Sequence, residues 1–328
     1  MPEIAEDLRR DLGSVVIRSP YEIVIGGQSL PLPDPAVLYQ RNPTLFATSP
    51  LYVHLQSEIY DRLYTRPAGR PTMGEDITPL LSAANHGRER WEHDWLFWQP
   101  DPAGGLWASR EDRVYLAQPG QWAMPNGGGM PAHGSPISVF FAKELPHAQP
   151  GFYIVVGETP FDRFTEGRML RVYFNIEERG AEDLVAAVSE TLNAFLVPFR
   201  FKILNNRGCY TRADGSVIYC GRRYFGILSR LVPRIYERVK DSLREPVPLF
   251  TKRLLPGVGL AEDPGAGDSF GLSRSRLLTQ AIWNAWTRGD QSVDGRLAEL
   301  HALFGTAGLR IDKPYLNAGS ADLYETEN

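Results

Sequence analysis

Two short segments hold the side chains best placed to do chemistry. In the first, Arg171, Tyr173 and Asn175 alternate with Val172, Phe174 and Ile176; in the second, Arg200, Lys202 and Leu204 alternate with Phe199, Phe201 and Ile203. Successive side chains of a strand point to opposite faces, so each segment, if extended, sets its polar groups on one face and its apolar groups on the other. Lys202 then projects where Arg171 and Tyr173 do. Further cations follow at Arg207, Arg212, Lys252, Arg274 and Arg276. A guanidinium matches phosphate through paired hydrogen bonds, and helix N-termini favour anions, so the chemistry these residues suit is the binding of a phosphate group. Most surface lysines and arginines only keep a charged head in water. What singles out Lys202 is the polar strand expected beside it.

Other chemistries find less support. His54, His86, His93, His133, His147 and His301 are scattered, and none adjoins a nucleophile motif. Glu262, Asp263 and Asp268 stand close together and are candidates to bind a metal or steer basic groups, but no HExxH, paired CxxC or calcium-loop pattern accompanies them. No metal is expected. The run Asn126-Gly127-Gly128-Gly129 lacks the Lys-Ser/Thr of a phosphate-binding P-loop and reads as a flexible connection, a possible lid. Cys209 and Cys220 face each other if Asp214-Gly215 forms a hairpin turn, yet two unpaired thiols are expected of a reducing compartment.

The elements that position these groups follow from hydrophobic period. Residues 170–176 read as a strand, 181–196 as a helix with Leu184, Val185, Val188, Leu192 and Phe195 on one stripe, and 199–204 as a second strand. This β-α-β unit predicts the two strands side by side. Val217 to Tyr219 is a further strand, 223–243 a helical region interrupted at Pro233, 249–259 extended, and 273–287 a helix. Upstream, Ser14 to Ile17, Tyr21 to Ile25 and the Trp-rich stretch from Trp91 to Trp107 read as strands. Leu51 to Tyr64 spaces Leu51, Leu55, Ile59 and Leu63 and three tyrosines at helical intervals, with the aromatic face in the core. From Pro314 a poorly ordered tail is expected. Two regions are predicted, a β-rich 1–148 and an α+β 149–328, closely packed or fused as one domain.

With 328 residues the chain can bury a substantial core. A formal charge of −4 disfavours a general nucleic-acid binder, which depends on clustered cations. The first thirteen residues carry Glu, Asp and Arg where a signal peptide needs an apolar run, and no stretch of about 18 apolar residues occurs. A cytoplasmic protein with no membrane partner is expected.

Between Arg171 and Gly271 the sequence reads RVYFNIEERGAEDLVAAVSETLNAFLVPFRFKILNN, then YTRADGSVIY, then PLFTKRLLPGVGLAEDPGAGDSFG. This resembles the HopA effector family, whose members include type III effectors and the lyase components of class V lanthipeptide and thioamitide assembly. The N-terminal half resembles it more weakly, in the Tyr60/Tyr64 helix and in GFYIVVGETPF. The family is in turn similar to phosphothreonine lyases. That likeness implies an α+β fold: a mixed sheet with packed helices, a phosphothreonine-lyase-like C-terminal half and a β-rich N-terminal half.

It also implies β-elimination of phosphate from phosphoserine or phosphothreonine, leaving dehydroalanine or dehydrobutyrine. In those lyases a strand lysine takes the α proton, the place Lys202 holds here. Where they carry an assisting histidine this chain has Tyr173, a donor to phosphate or carbonyl oxygen. Arg171, Arg212, Lys252 and Arg274 are then the candidate phosphate clamp. Elimination needs a base, stabilisation of the developing carbonyl anion and neutralisation of the leaving phosphate, and no cofactor. Only a neutral amine can act, so the ordinary lysine pKa of about 10.4 must be depressed. The chain carries no kinase motif, so a separate Ser/Thr kinase-like partner is expected to phosphorylate a precursor peptide. The alternative is a non-catalytic HopA-type effector or a peptide- or kinase-binding partner. A phosphatase-like hydrolase has no Cys or metal motif in its favour.

Overall fold

The computed structural model describes residues 2–41, 48–102, 104–111, 113–125, 127, 129–161, 168–265, 267 and 269–325. Its N-terminal stretch, read above only as unlike a signal peptide, is a helix, α1 (Pro2–Ser14). A three-stranded meander follows, β1 (Val15–Ser19), β2 (Glu22–Ile25) and β3 (Gln28–Pro31), then helices α2 (Pro35–Arg41) and α3 (Pro50–Ile59). α3 runs into one turn of π-helix at Tyr60–Tyr64, and α4 (Thr78–Ala84) follows.

The Trp-rich stretch folds as expected into strands. β4 (Arg90–Pro100), β5 (Leu106–Arg110), β6 (Arg113–Ala117), β7 (Trp122–Ala123) and β8 (Pro136–Phe141) form one antiparallel sheet in the order β6-β5-β4-β8-β7. Its inner face, Trp95, Phe97, Leu106, Ile137, Val139 and Phe141 among others, makes a small core of its own.

The C-terminal half centres on a six-stranded antiparallel sheet. Its strands are β9 (Phe152–Val156), β10 (Met169–Phe174), β11 (Phe199–Leu204), β12 (Ser216–Gly221), β13 (Lys252–Leu255) and β14 (Val258–Glu262), ordered β13-β14-β10-β12-β11-β9. Helices α5 (Ala181–Ala194), α6 (Phe225–Val239), α7 (Phe270–Thr287) and α8 (Val293–Thr306) complete the chain. The whole is an α+β protein.

The expected adjacency of the two signal strands does not hold. β12 lies between β10 and β11 and pairs antiparallel with both. The connection 205–215, whose last turn runs through Asp214 and Gly215, returns the chain along β11, and β12 thereby occupies the slot beside β10. Nor does Pro233 interrupt α6. Phe225, Leu228, Leu231, Val232, Ile235 and Val239 form one buried stripe on both sides of it, and the proline itself is exposed. Packing of that face outweighs the single backbone hydrogen bond a proline removes.

One face of the large sheet is mainly apolar through β10, β12 and β11: Leu170, Val172 and Phe174, Phe199, Phe201 and Ile203, Ile218 and Cys220 share a core with Leu184, Val185, Val188 and Leu192 of α5 and the α6 stripe. That same core also takes Leu8 and Leu12, Leu51 and Leu55, and Leu81. Residues on both sides of position 148 therefore contribute to it. The tail expected after Pro314 is instead packed down. Tyr315, Leu316 and Tyr324 are buried, held by the fully buried Glu262, which accepts from the Asn317 backbone (2.8 Å), Ser320 (2.7 Å) and Tyr324 (2.6 Å) and pairs with Arg222 at 2.7 Å. Both cysteines are unpaired.

Candidate active site

The opposite face of the large sheet is polar, and its register brings the signal residues together. Val217 of β12 pairs with Tyr173 on one side and Lys202 on the other, and Tyr219 pairs likewise with Arg171 and Arg200. Residues directly opposite in a sheet share a face. Arg171, Tyr173, Tyr219, Arg200 and Lys202 thus lie on one surface, which the sequence alternation anticipated strand by strand but could not assemble. Asn175 follows the end of β10 and donates to the Pro246 carbonyl at 2.8 Å instead.

Over one half of this surface sits the π turn. The Tyr64 and Tyr173 hydroxyls are 3.4 Å apart, and Tyr60 stacks on Tyr64 with centroids 5.2 Å apart. Tyr60 donates to Asp214 at 3.1 Å and accepts from Arg212 at 3.0 Å. Arg212 also grips both oxygens of Asp214, at 2.5 and 2.8 Å. Arg171 binds Asp263 at 2.6 Å and lies 5.2 Å from the Tyr219 ring. Gly271 of α7 makes the close approach possible: a Cβ there would stand 2.3 Å from Cε1 of Tyr64 and 2.8 Å from Cε2 of Tyr60.

Lys202 lies at the edge of this group, half-buried, its ammonium 3.8 Å from the Phe152 ring centre. Burial lowers its pKa to about 8; Asp214 opposes the shift, while Arg171 and Arg212 add to it. Burial likewise raises the hydroxyls of Tyr60, Tyr64 and Tyr173, which stay protonated donors across the neutral range. The cluster therefore combines an amine of lowered pKa with the Arg171 and Arg212 guanidiniums, each paired to a carboxylate, and the phenols of Tyr60, Tyr64, Tyr173 and Tyr219. That arrangement can take up a proton beside a bound anion.

Two predicted clamp residues stand elsewhere. Lys252 pairs with Leu260, which pairs with Val172, so its register belongs to the face opposite Lys202. Its neighbours are Asp322 at 3.8 Å and the Tyr315 ring at 5.4 Å. Arg274 is buried, and it donates to the carbonyls of Pro314 and Leu316, each at 2.9 Å. Burial lowers its pKa to about 10, against Glu262 and Tyr173; its guanidinium anchors the C-terminal segment. Arg207 pairs with Glu178 at 2.7 Å, and Arg276 is exposed on α7. Of the acidic loop, Glu262 and Asp263 each hold an arginine, and Asp268 lies outside the described residues, as do Asn126 and Gly128 of the glycine run. Among the described residues no group of three or more His, Cys, Asp or Glu is placed to hold a metal ion. None of their helices is long and apolar enough to cross a membrane.

Sequence reasoning missed Tyr60, Tyr64 and Asp214 as members of this cluster. The tyrosines read as a core face and the aspartate as a turn residue. The available signals were the spacing of Tyr60 and Tyr64 on one helical face and the Arg212-x-Asp214 pair beside a predicted turn, neither of which names its partner across the sheet.

This α+β arrangement, with its polar sheet face under a tyrosine-bearing turn, is found in a protein whose family is clear. The chain belongs to the HopA1 effector protein family, whose model matches residues 144–316. Among solved structures, an effector protein from Pseudomonas syringae pv. tomato strain DC3000 is similar at 17% identity over 80% of this chain and 90% of its own, with a TM-score of 0.47. A second effector, from Pseudomonas syringae pv. syringae strain 61, is 14% identical over 86% of this chain and 96% of its own, with a TM-score of 0.45. No curated protein matches.

Proposed function

We propose that the chain is a lyase that eliminates phosphate from phosphoserine or phosphothreonine in a peptide already phosphorylated by a separate kinase, giving dehydroalanine or dehydrobutyrine. The observation that carries this reading is the row Tyr173–Val217–Lys202, which sets a lysine with a pKa of about 8 on the same face as Arg171 and near Arg212. Neutral Lys202 removes the proton from the α carbon. The electron pair left behind forms the Cα–Cβ double bond, the Cβ–O bond breaks, and phosphate leaves with that oxygen. Arg171 and Arg212 neutralise the leaving phosphate, and the buried Tyr173 hydroxyl donates to the developing carbonyl anion. No step in this sequence calls for a cofactor. Processing of a precursor peptide on the way to a lanthipeptide- or thioamitide-type product is the context we propose for it.

A second reading has its own support. Arg171 and Arg212 already hold Asp263 and Asp214, so a phosphate must compete with two carboxylates. A non-catalytic effector or peptide-binding partner needs no such exchange. The two readings separate when phosphopeptide is incubated with the protein and a thiol, and released phosphate and thiol adduct are both measured. Equal amounts of each, lost in Lys202→Ala, are expected of the lyase. Phosphate without adduct means hydrolysis, and binding without phosphate release means the effector reading.

A further inference from the structure

Lys202 has a neighbouring cation with no evident structural task. Arg200 stands two residues earlier on the same face of β11, about 7 Å away at the rise of an extended strand. It is exposed. Its guanidinium lies 5.7 Å from the Phe161 ring, and among the described residues it has no ion-pair or hydrogen-bond partner. Arg171 and Arg212, by contrast, each hold a carboxylate.

Beside Arg200 a cleft of about 170 Å³ opens between the five-stranded sheet and the ends of β9 and β11, walled by Trp107, Tyr115, Phe141 and Phe161 with Gln118, Gln121 and Thr159 also on its lining. The space suits one side chain, not a length of backbone. A cation against apolar walls attracts an anion more strongly than one in open water, because the walls lower the local dielectric. The rest of the surface is open to a chain lying on it: Phe152, Ile154 and Val156, in the rows of Leu204, Lys202 and Arg200, are each only half-buried. An extended peptide presents side chains i and i+2 to the same side, about 7 Å apart. That is the spacing of Lys202 and Arg200.

We propose that Arg200 and the aromatic cleft beside it form a subsite for an anionic side chain two positions from the reacting residue of an extended substrate peptide. The inference rests on the lyase reading only for what lies over Lys202. The anion is a carboxylate or a second phosphorylated residue, and the test separates the two.

Phosphoserine peptides carrying Ala, Glu, Lys or a second phosphoserine two positions before or after the reacting residue are given to the full-length protein and to Arg200→Ala and Arg200→Glu. Both kcat/KM for elimination and Kd from fluorescence anisotropy are measured. At one of the two positions Glu is expected to improve on Ala by roughly tenfold, through KM, and Lys to be disfavoured. Arg200→Ala removes the preference and Arg200→Glu inverts it toward Lys. A second phosphoserine exceeding Glu, with the same dependence on Arg200, identifies phosphate as the anion. Equal values for all four residues at both positions, or a preference unchanged in Arg200→Glu, overturn the proposal. If no peptide is eliminated but Kd still shows the Arg200-dependent preference, the subsite stands and the lyase reading falls. Circular dichroism checks that the variants, altered at an exposed position, keep the fold.

Discussion

Lys202 is pulled two ways, toward neutrality by burial and by Arg171 and Arg212, and toward the charged form by Asp214. As the proposed base it must be unprotonated, so kcat/KM for elimination is expected to rise with pH and level off above about 8. The phosphate monoester itself titrates near about 6, which keeps its own contribution separate. Asp214→Asn removes the opposing charge and should move the rise to lower pH; Arg212→Gln should move it higher. A pH–rate profile whose midpoint is the same in all three proteins would remove Lys202 from the base role. The sign for stability is fixed by the same shift. A lysine whose folded pKa lies below its unfolded value binds fewer protons when folded, so its cost is fully present below about 8 and fades as pH rises toward its unfolded value. Lys202→Met should therefore raise Tm at neutral pH and less so at alkaline pH.

At the level of elements, the local pattern of the sequence was easily read and its assembly was not. The α5 stripe and the alternation in β10 and β11 are local signals of period 3.6 and 2, and all three elements form within two residues of the expected bounds. That β12 separates those strands depends on a turn and on pairings between residues distant in sequence, which no local period encodes. The tyrosines of the π turn face inward, as expected, but their hydroxyls meet Asp214, Arg212 and Tyr173 only after α3 is laid over the sheet. Gly271 sets that approach. Gly271→Ala is expected to cost about 1–3 kcal/mol, as overpacking does, and to lower kcat/KM by displacing Tyr60 and Tyr64; urea unfolding and kinetics on the same preparation check both. An unchanged kcat/KM would mean that the tyrosines are not part of the site.

The whole molecule is organised around two cores of unequal size. The larger joins α1, the β1–β3 meander and α3 to the six-stranded sheet, and the smaller lies inside the five-stranded sheet. Chain length predicted a substantial core. The C-terminal segment shows where that prediction stops: Pro314 to Tyr324 carries few apolar residues, yet it is fastened by the buried Glu262 carboxylate and the buried Arg274 guanidinium, long-range polar anchors that hydrophobic pattern does not register. Glu262→Ala removes the buried acceptor shared by Asn317, Ser320 and Tyr324, leaves the partly exposed Arg222 without its carboxylate, and should cost about 1–3 kcal/mol, with the segment becoming open to proteolysis. Trp95→Ala, in the smaller core, is expected to cost about 3–5 kcal/mol, and hydrogen exchange should show protection lost first in β4, β5 and β8. The cleft that holds Arg200 lies where the two sheets meet, so loosening the smaller core should also weaken the preference for an anionic side chain.

The most direct test is the intact mass of a phosphoserine peptide after incubation with the wild-type protein and with Lys202→Ala. A product lighter than the phosphopeptide by phosphoric acid, and so lighter than the unphosphorylated peptide by one water, is expected with the wild type alone. Recovery of the unphosphorylated mass, or the same dehydrated product from both proteins, would contradict an elimination driven by Lys202.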